Sequence, residues 1–136
     1  MPRVLIIDDE EDIRDVLADV LNRAGFEVDV SSTGDEGIDK LRSKPADVIV
    51  TDIIMPGKDG VATIREIRKE FPDAKIVAMS GGGNFGANAY EPNAIKTTAY
   101  LAAAGEAGAD VILSKLFDRE AFMEAIRALT TSSIGR

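Results

Sequence analysis

Five short apolar runs, each followed by a stretch with helical spacing, dominate this chain and leave few folds open to it. The first run, residues 4–7, is continuously apolar, as suits a strand covered on both faces. Ile13, Val16, Leu17, Val20 and Leu21 then recur at helical spacing, and Gly25 closes that helix. Residues 27–30 read as a short second strand with alternating character, and residues from about 35 to 43 as a helix stopped ahead of Pro45. Residues 48–50 open a third buried strand that runs into Asp52. Asp59 suits the N-cap of the next helix, which carries Val61, Ile64, Ile67 and Arg68 and ends before Pro72. Residues 76–79 form a fourth strand. A Gly-rich stretch over 81–86 follows, and a helix resumes near Pro92 and runs to Glu106. Residues 109–113 supply the fifth strand, and Asp118 caps a last amphipathic helix through Phe122, Ile126 and Leu129. Five β–α repeats with short connections predict an α/β fold, a doubly wound five-stranded parallel sheet flanked by helices. One domain is expected over residues 1–130, with 131–136 a flexible polar tail.

Several function classes fall away on composition. The 136 residues hold neither cysteine nor histidine, which removes a thiol nucleophile, a disulfide framework and the usual general base and transition-metal ligand. Sixteen basic residues stand against 24 acidic ones, a net charge of −8, and no Lys/Arg cluster is present to displace phosphate counterions. Direct binding to nucleic acid or to an anionic membrane is therefore not expected. No apolar run approaches the ~20 residues that span a bilayer. The first residues enter a strand without the layout of a signal peptide, so a cytoplasmic location is expected.

In a parallel sheet of this kind, ligands gather outside the carboxyl ends of the strands, at the topological switch point. The first strand ends in Asp8-Asp9, with Glu10 next; the third ends in Asp52, the fourth in Ser80 and the fifth in Ser114-Lys115. Asp8, Asp9 and Asp52 converging on one rim repel one another unless a cation sits among them. Oxygen ligands alone favour a hard ion, Mg²⁺ or Mn²⁺ in its place, which also suits phosphoryl transfer. Lys115 can add a second positive charge and Ser80 can donate to a phosphoryl oxygen. Plainer roles exist for the same residues: Asp8, Asp9 and Glu10 as helix caps, Ser80 as the start of a turn, Lys115 as a solvated loop lysine. Gly81, Gly83 and Gly86 spell a G-x-G-x-x-G pattern, but Asn88, Glu91 and Pro92 intervene where a dinucleotide site needs a helix to open at once.

Asp8-Asp9 after an apolar strand, the run Asp52-Ile53-Ile54-Met55-Pro56-Gly57-Lys58-Asp59-Gly60, then Ser80 and Lys115, together resemble the receiver domain of two-component response regulators. The resemblance spans about residues 3–129. It implies that Asp52 is the phospho-accepting nucleophile. It also implies that Asp9 ligates Mg²⁺ directly, Asp8 acts on the ion largely through water, and the Ile54 carbonyl adds a ligand. Ser80 would follow the phosphoryl group, and Lys115 would pair with Asp52 or its phosphoryl oxygens. The implied donor is a phosphohistidine on a histidine kinase or histidine phosphotransfer protein, and the signal passes to a downstream protein target. On this reading the chain is a stand-alone switch, a monomer or weak homodimer, and an enzyme only in its own phosphorylation and dephosphorylation.

Three departures from the family stand out. Ile112 replaces the Tyr or Phe expected three residues before the lysine, Leu116 replaces the proline after it, and the interval from Ser80 to Lys115 is long. The long segment, with Phe85, Ala87, Ala89 and Tyr90, is expected to read a partner. Two alternatives remain open: a receiver-fold binding module with lost or weakened phospho-switching, and a phosphohydrolase with Asp52 as nucleophile. Against the latter, Ile54 stands two residues after Asp52, where an acid/base carboxylate would be needed.

Overall fold

The computed structural model describes residues 2–53, 60–80, 105–114 and 119–134. Strands β1 (Arg3–Ile7), β2 (Glu27–Ser31), β3 (Val48–Asp52), β4 (Lys75–Ser80) and β5 (Val111–Ser114) form one parallel sheet in the order β2-β1-β3-β4-β5. Helices α1 (Glu11–Arg23), α2 (Gly34–Ser43), α3 (Gly60–Glu70) and α4 (Arg119–Ile134) lie between or after the strands. Residues 105–107 are helical ahead of Gly108. The remainder of the helix expected from Pro92 to Glu106, the Gly-rich stretch 81–86 and the caps Asp59 and Asp118 lie outside the described residues.

Alternation along the strands sorts the apolar side chains into two cores, one on each side of the sheet. Leu5, Ile7, Ile49, Ile76 and Ala78 face α2 and α3, where Ile38, Leu41, Ile64 and Ile67 complete a buried cluster. Val4, Ile6, Val48, Val50, Val77 and Met79 face the other way, against Leu17 and Leu21 of α1 and Phe122, Met123 and Ile126 of α4. Both faces of the sheet are thus covered, and the strands can be apolar throughout.

The local signals explain where the elements stop. Gly25, at φ +94°, turns the chain out of α1 with its N–H on the Asn22 carbonyl at 3.1 Å. Thr33 caps α2, its hydroxyl accepting from Glu36 N–H at 3.1 Å, while Glu36 accepts from Ser32 N–H at 2.9 Å. At the β2 edge, Arg3 pairs with Glu27 and Asp29, Lys44 with Glu27, and Lys40 with Asp29. Charges of this kind blunt an edge strand against pairing with another chain. Beyond β3, the Arg68 guanidinium donates to the carbonyls of Pro72, Ala74 and Gly108, each at 2.7 Å, and to Asp110 at 2.9 Å. Asp110 in turn receives Ile76 N–H, so this arginine ties α3 to the start of β4 and the approach to β5.

Two expectations change. Val16 is on the apolar spacing of α1 yet is 60% exposed, because the face of α1 turned to the core runs through Ile13, Leu17, Val20 and Leu21. The last helix does not give way to a tail near Leu129: it runs to Ile134, with the Thr130 hydroxyl donating to the Ile126 carbonyl at 3.0 Å. Bonding back to the preceding turn lets a helix accommodate such a residue. Among the described residues, no helix is long and apolar enough to cross a membrane.

Candidate functional site

From β1 the chain moves to β2 on one side and then to β3 on the other, so the switch point of this sheet lies between β1 and β3. Ile7 and Thr51 are partners across that pair, which puts Asp8 and Asp52 next to each other just beyond them. Asp52 ends β3, and Asp8 extends β1 by one residue, its N–H donating to the Ser31 carbonyl at 3.0 Å. Both are fully buried, whereas Asp9 is exposed and Glu10 half-buried.

The turn from β1 into α1 is held from three directions. Glu10 N–H donates to Asp8 Oδ1 at 2.9 Å, Arg14 N–H to the Glu10 carbonyl at 3.1 Å, and the Arg14 guanidinium to the Asp8 carbonyl at 2.8 Å. On the other side of the crevice, the Thr51 hydroxyl donates to the Asp52 carbonyl at 3.1 Å and Ile53 N–H to the Met79 carbonyl at 2.9 Å. Gly60 N–H donates to the Ile53 carbonyl at 2.7 Å, bringing the start of α3 back against the end of β3. A Cβ on Gly60 would lie 2.0 Å from the Asp52 carbonyl oxygen and 2.5 Å from Ile53 Cα. Only glycine fits there, for reasons of space and not of dihedral angle.

Carboxylate oxygens of Asp8, Asp9, Glu10 and Asp52, one from each, all lie within 4.8 Å of one another. Four such groups repel strongly, and a cation among them would relieve the repulsion. All four donors are hard oxygens, so the set fits Mg²⁺ or Mn²⁺ and offers nothing to a soft metal. Of the residues singled out by sequence, the structure therefore brings Asp8, Asp9 and Asp52 together. Ser80 ends β4 on the same rim, in register with Ser114 and one residue beyond Met79, the partner of Asp52. Ile54, Lys115 and Leu116 lie outside the described residues. Glu10, Arg14 and Gly60 were not singled out for the site. Glu10 does carry a visible signal, since Glu is not among the residues favoured at a helix N-cap.

The family model for the response regulator receiver domain matches residues 4–127. This chain belongs to that family. A chemotaxis protein CheY from Thermotoga maritima is 40% identical to the receiver domain over 82 residues, 60% of this chain and 68% of the relative. The transcriptional regulatory protein BaeR of Escherichia coli is 38% identical over 79 residues, 58% of this chain but only 32% of BaeR, so this domain spans about a third of that longer protein. Among solved structures, a CheY-like receiver domain protein from Methanospirillum hungatei superposes with a TM-score of 0.83, covering 100% of this chain and 99% of its own; at 23% identity this speaks for the fold. The doubly wound parallel sheet expected from the apolar runs is the fold observed. Ile112, where the family's aromatic residue was expected, lies on β5 opposite Ala78 and is 37% exposed.

Proposed function

We propose that this receiver domain accepts a phosphoryl group on the Asp52 carboxylate and so acts as a signalling switch. The observation that carries the reading is a fully buried Asp52 within 4.8 Å of three further carboxylates at the switch point of the sheet. Burial strips Asp52 of competing water. A carboxylate oxygen of Asp52 would attack the phosphorus of a phosphohistidine; the O–P bond forms as the N–P bond breaks, and the imidazole leaves with the electron pair and takes up a proton. Hydrolysis reverses the state, water attacking phosphorus and the Asp52 carboxylate departing.

Mg²⁺, or Mn²⁺ in its place, would supply charge neutralisation at the transferring group when bound. Asp8 and Asp9 would hold it together with Asp52 and the Ile54 carbonyl. We assign the Ser80 hydroxyl and the Lys115 ammonium to the phosphoryl oxygens, Lys115 as the fixed positive charge and Ser80 as a donor at the adjacent strand end. The donor is a histidine kinase or phosphotransfer protein, as membership of the receiver family implies, and this chain has no histidine with which to serve as its own donor. The recipient of the signal is a downstream protein and not nucleic acid, given the net charge of −8, and the setting is cytoplasmic. The domain is an enzyme only toward itself. An exposed aliphatic Ile112 favours a second reading, a binding module whose phospho-switching is weakened.

Intact-mass measurement after incubation with acetyl phosphate separates the two readings. A single phosphoryl adduct that needs Mg²⁺ and is absent from Asp52→Asn is expected. No adduct on folded protein, with no released phosphate from rapid turnover, would contradict acceptance and leave the binding module.

A further inference from the structure

We infer that Arg14 is a positioning residue of the cation site, its guanidinium fixing the peptide that joins Asp8 to Asp9 and so the place of the Asp9 carboxylate beside Asp52. The role rests on the cation-assisted reading above and adds to it a residue that does not touch the ion. Asp9 is exposed, and its side chain makes no hydrogen bond or ion pair with another described residue. One of its carboxylate oxygens nevertheless lies within 4.8 Å of those of Asp8 and Asp52. The backbone must therefore set that placement. A peptide unit is planar, so whatever holds the Asp8 carbonyl oxygen also orients the N and Cα atoms of Asp9. That oxygen accepts a hydrogen bond from the Arg14 guanidinium at 2.8 Å.

Arg14 is itself held still. It precedes Leu17 and Leu21 on α1, both buried in the core beneath that helix, and its N–H donates to the Glu10 carbonyl at 3.1 Å. A clamp mounted on a packed helix places its target more closely than one mounted on a loop. A plainer use of the side chain was open to it, since Glu11 lies three residues earlier, at the spacing of helical ion pairs. Among the described residues no such pair forms, and the half-buried arginine reaches back to the end of β1. Charge alone argues against the arrangement: a guanidinium beside a site for a divalent ion repels that ion. Positioning and charge therefore act with opposite sign on the affinity, and the sign tells them apart.

Titration of Mn²⁺ against the full chain, read as free Mn²⁺ by electron paramagnetic resonance with no phosphodonor present, reads that sign. Arg14→Met keeps most of the side-chain length but loses donor and charge, and is expected to raise the Mn²⁺ Kd about tenfold, as loss of other outer partners of a metal site does. Arg23→Met takes the same charge from the exposed far end of α1 and should change Kd by less than about twofold. Arg14→Lys, which retains a donor, should fall between wild type and Arg14→Met. Circular dichroism melts establish that the variants are folded, and Arg14→Gln, too short to reach the carbonyl, replaces Arg14→Met if the latter is not. A Kd that stays at the wild-type value, or falls as loss of a repelling charge dictates, would overturn the role of Arg14 and leave the cation reading standing. A loss in Arg14→Lys as large as in Arg14→Met, or an equal loss in Arg23→Met, would overturn the hydrogen bond to Asp8 as its cause. Failure of the wild-type chain to bind Mn²⁺ would overturn the cation reading and the role of Arg14 with it.

Discussion

Gly60 holds the backbone of Asp52 in place, although it contributes no side chain to the site. The atoms nearest to an added Cβ are main-chain atoms of Asp52 and Ile53, which no rotamer change can move aside. Gly60→Ala should therefore lose about 1–3 kcal/mol of stability in urea unfolding, as overpacking does, despite the better helix propensity of alanine. It should also slow phosphoryl uptake, since the strand end must shift. A stability equal to wild type would show that the loop relaxes around the methyl group. The acidic residues were legible from sequence because strand ends follow directly from the apolar runs, and a parallel sheet sends strand-end side chains to one rim. The role of Gly60 is not legible in the sequence, because close approach is a tertiary fact that spacing does not carry. Glu10 is legible as a cap from its position at the head of α1, whereas its place near Asp52 is a tertiary fact that spacing does not carry.

Within α1, periodicity overstated the buried face. Val16 and Leu17 are adjacent and both fit a helical stripe, yet only Leu17 reaches the sheet. Val16→Ser should fall within about 0.5 kcal/mol of wild type, whereas Leu17→Ala should cost about 2–5 kcal/mol, both measured by urea unfolding. Comparable costs at the two positions would place Val16 in a core. Helices α2 and α3 are joined at their ends by Arg42, which donates to both oxygens of Glu70 at 2.7 and 2.8 Å and also to Asp39. The Arg42 guanidinium holds the Glu70 carboxyl below its ordinary value near 4.5, and Glu70 in turn raises Arg42. A carboxyl depressed by folding stabilises the fold fully above its unfolded value, and that contribution fades as pH falls through the folded value. The difference in melting midpoint between wild type and Glu70→Gln should therefore be largest above about pH 5 and close as the pH falls below 4.5. A difference independent of pH would mean that the ion pair adds nothing and that the substitution acts through packing. Exposure of both partners keeps the effect small.

Across the molecule, the two cores and the site follow from one arrangement. Alternate residues of each central strand feed opposite cores, so strands apolar throughout are needed, and these are the runs that make the fold legible in the sequence. Reversal of direction between β1 and β3 then opens the crevice in which the carboxylates meet. End points of helices were less legible than their existence, as the continuation of α4 to Ile134 illustrates: a Thr-Thr-Ser-Ser run reads as a tail, yet the Thr130 hydroxyl finds the Ile126 carbonyl and the helix goes on. If Asp52 accepts the phosphoryl group, phosphate is carried as a mixed anhydride on its side chain. Reductive trapping tests it most directly: protein treated with acetyl phosphate and Mg²⁺ is reduced with borohydride, which converts an acyl phosphate to the alcohol, and is then mapped by peptide mass spectrometry. Reduction at Asp52 alone is expected, and none without Mg²⁺. Reduction at Asp8 or Asp9, or a phosphoryl adduct that borohydride leaves unchanged, would contradict it.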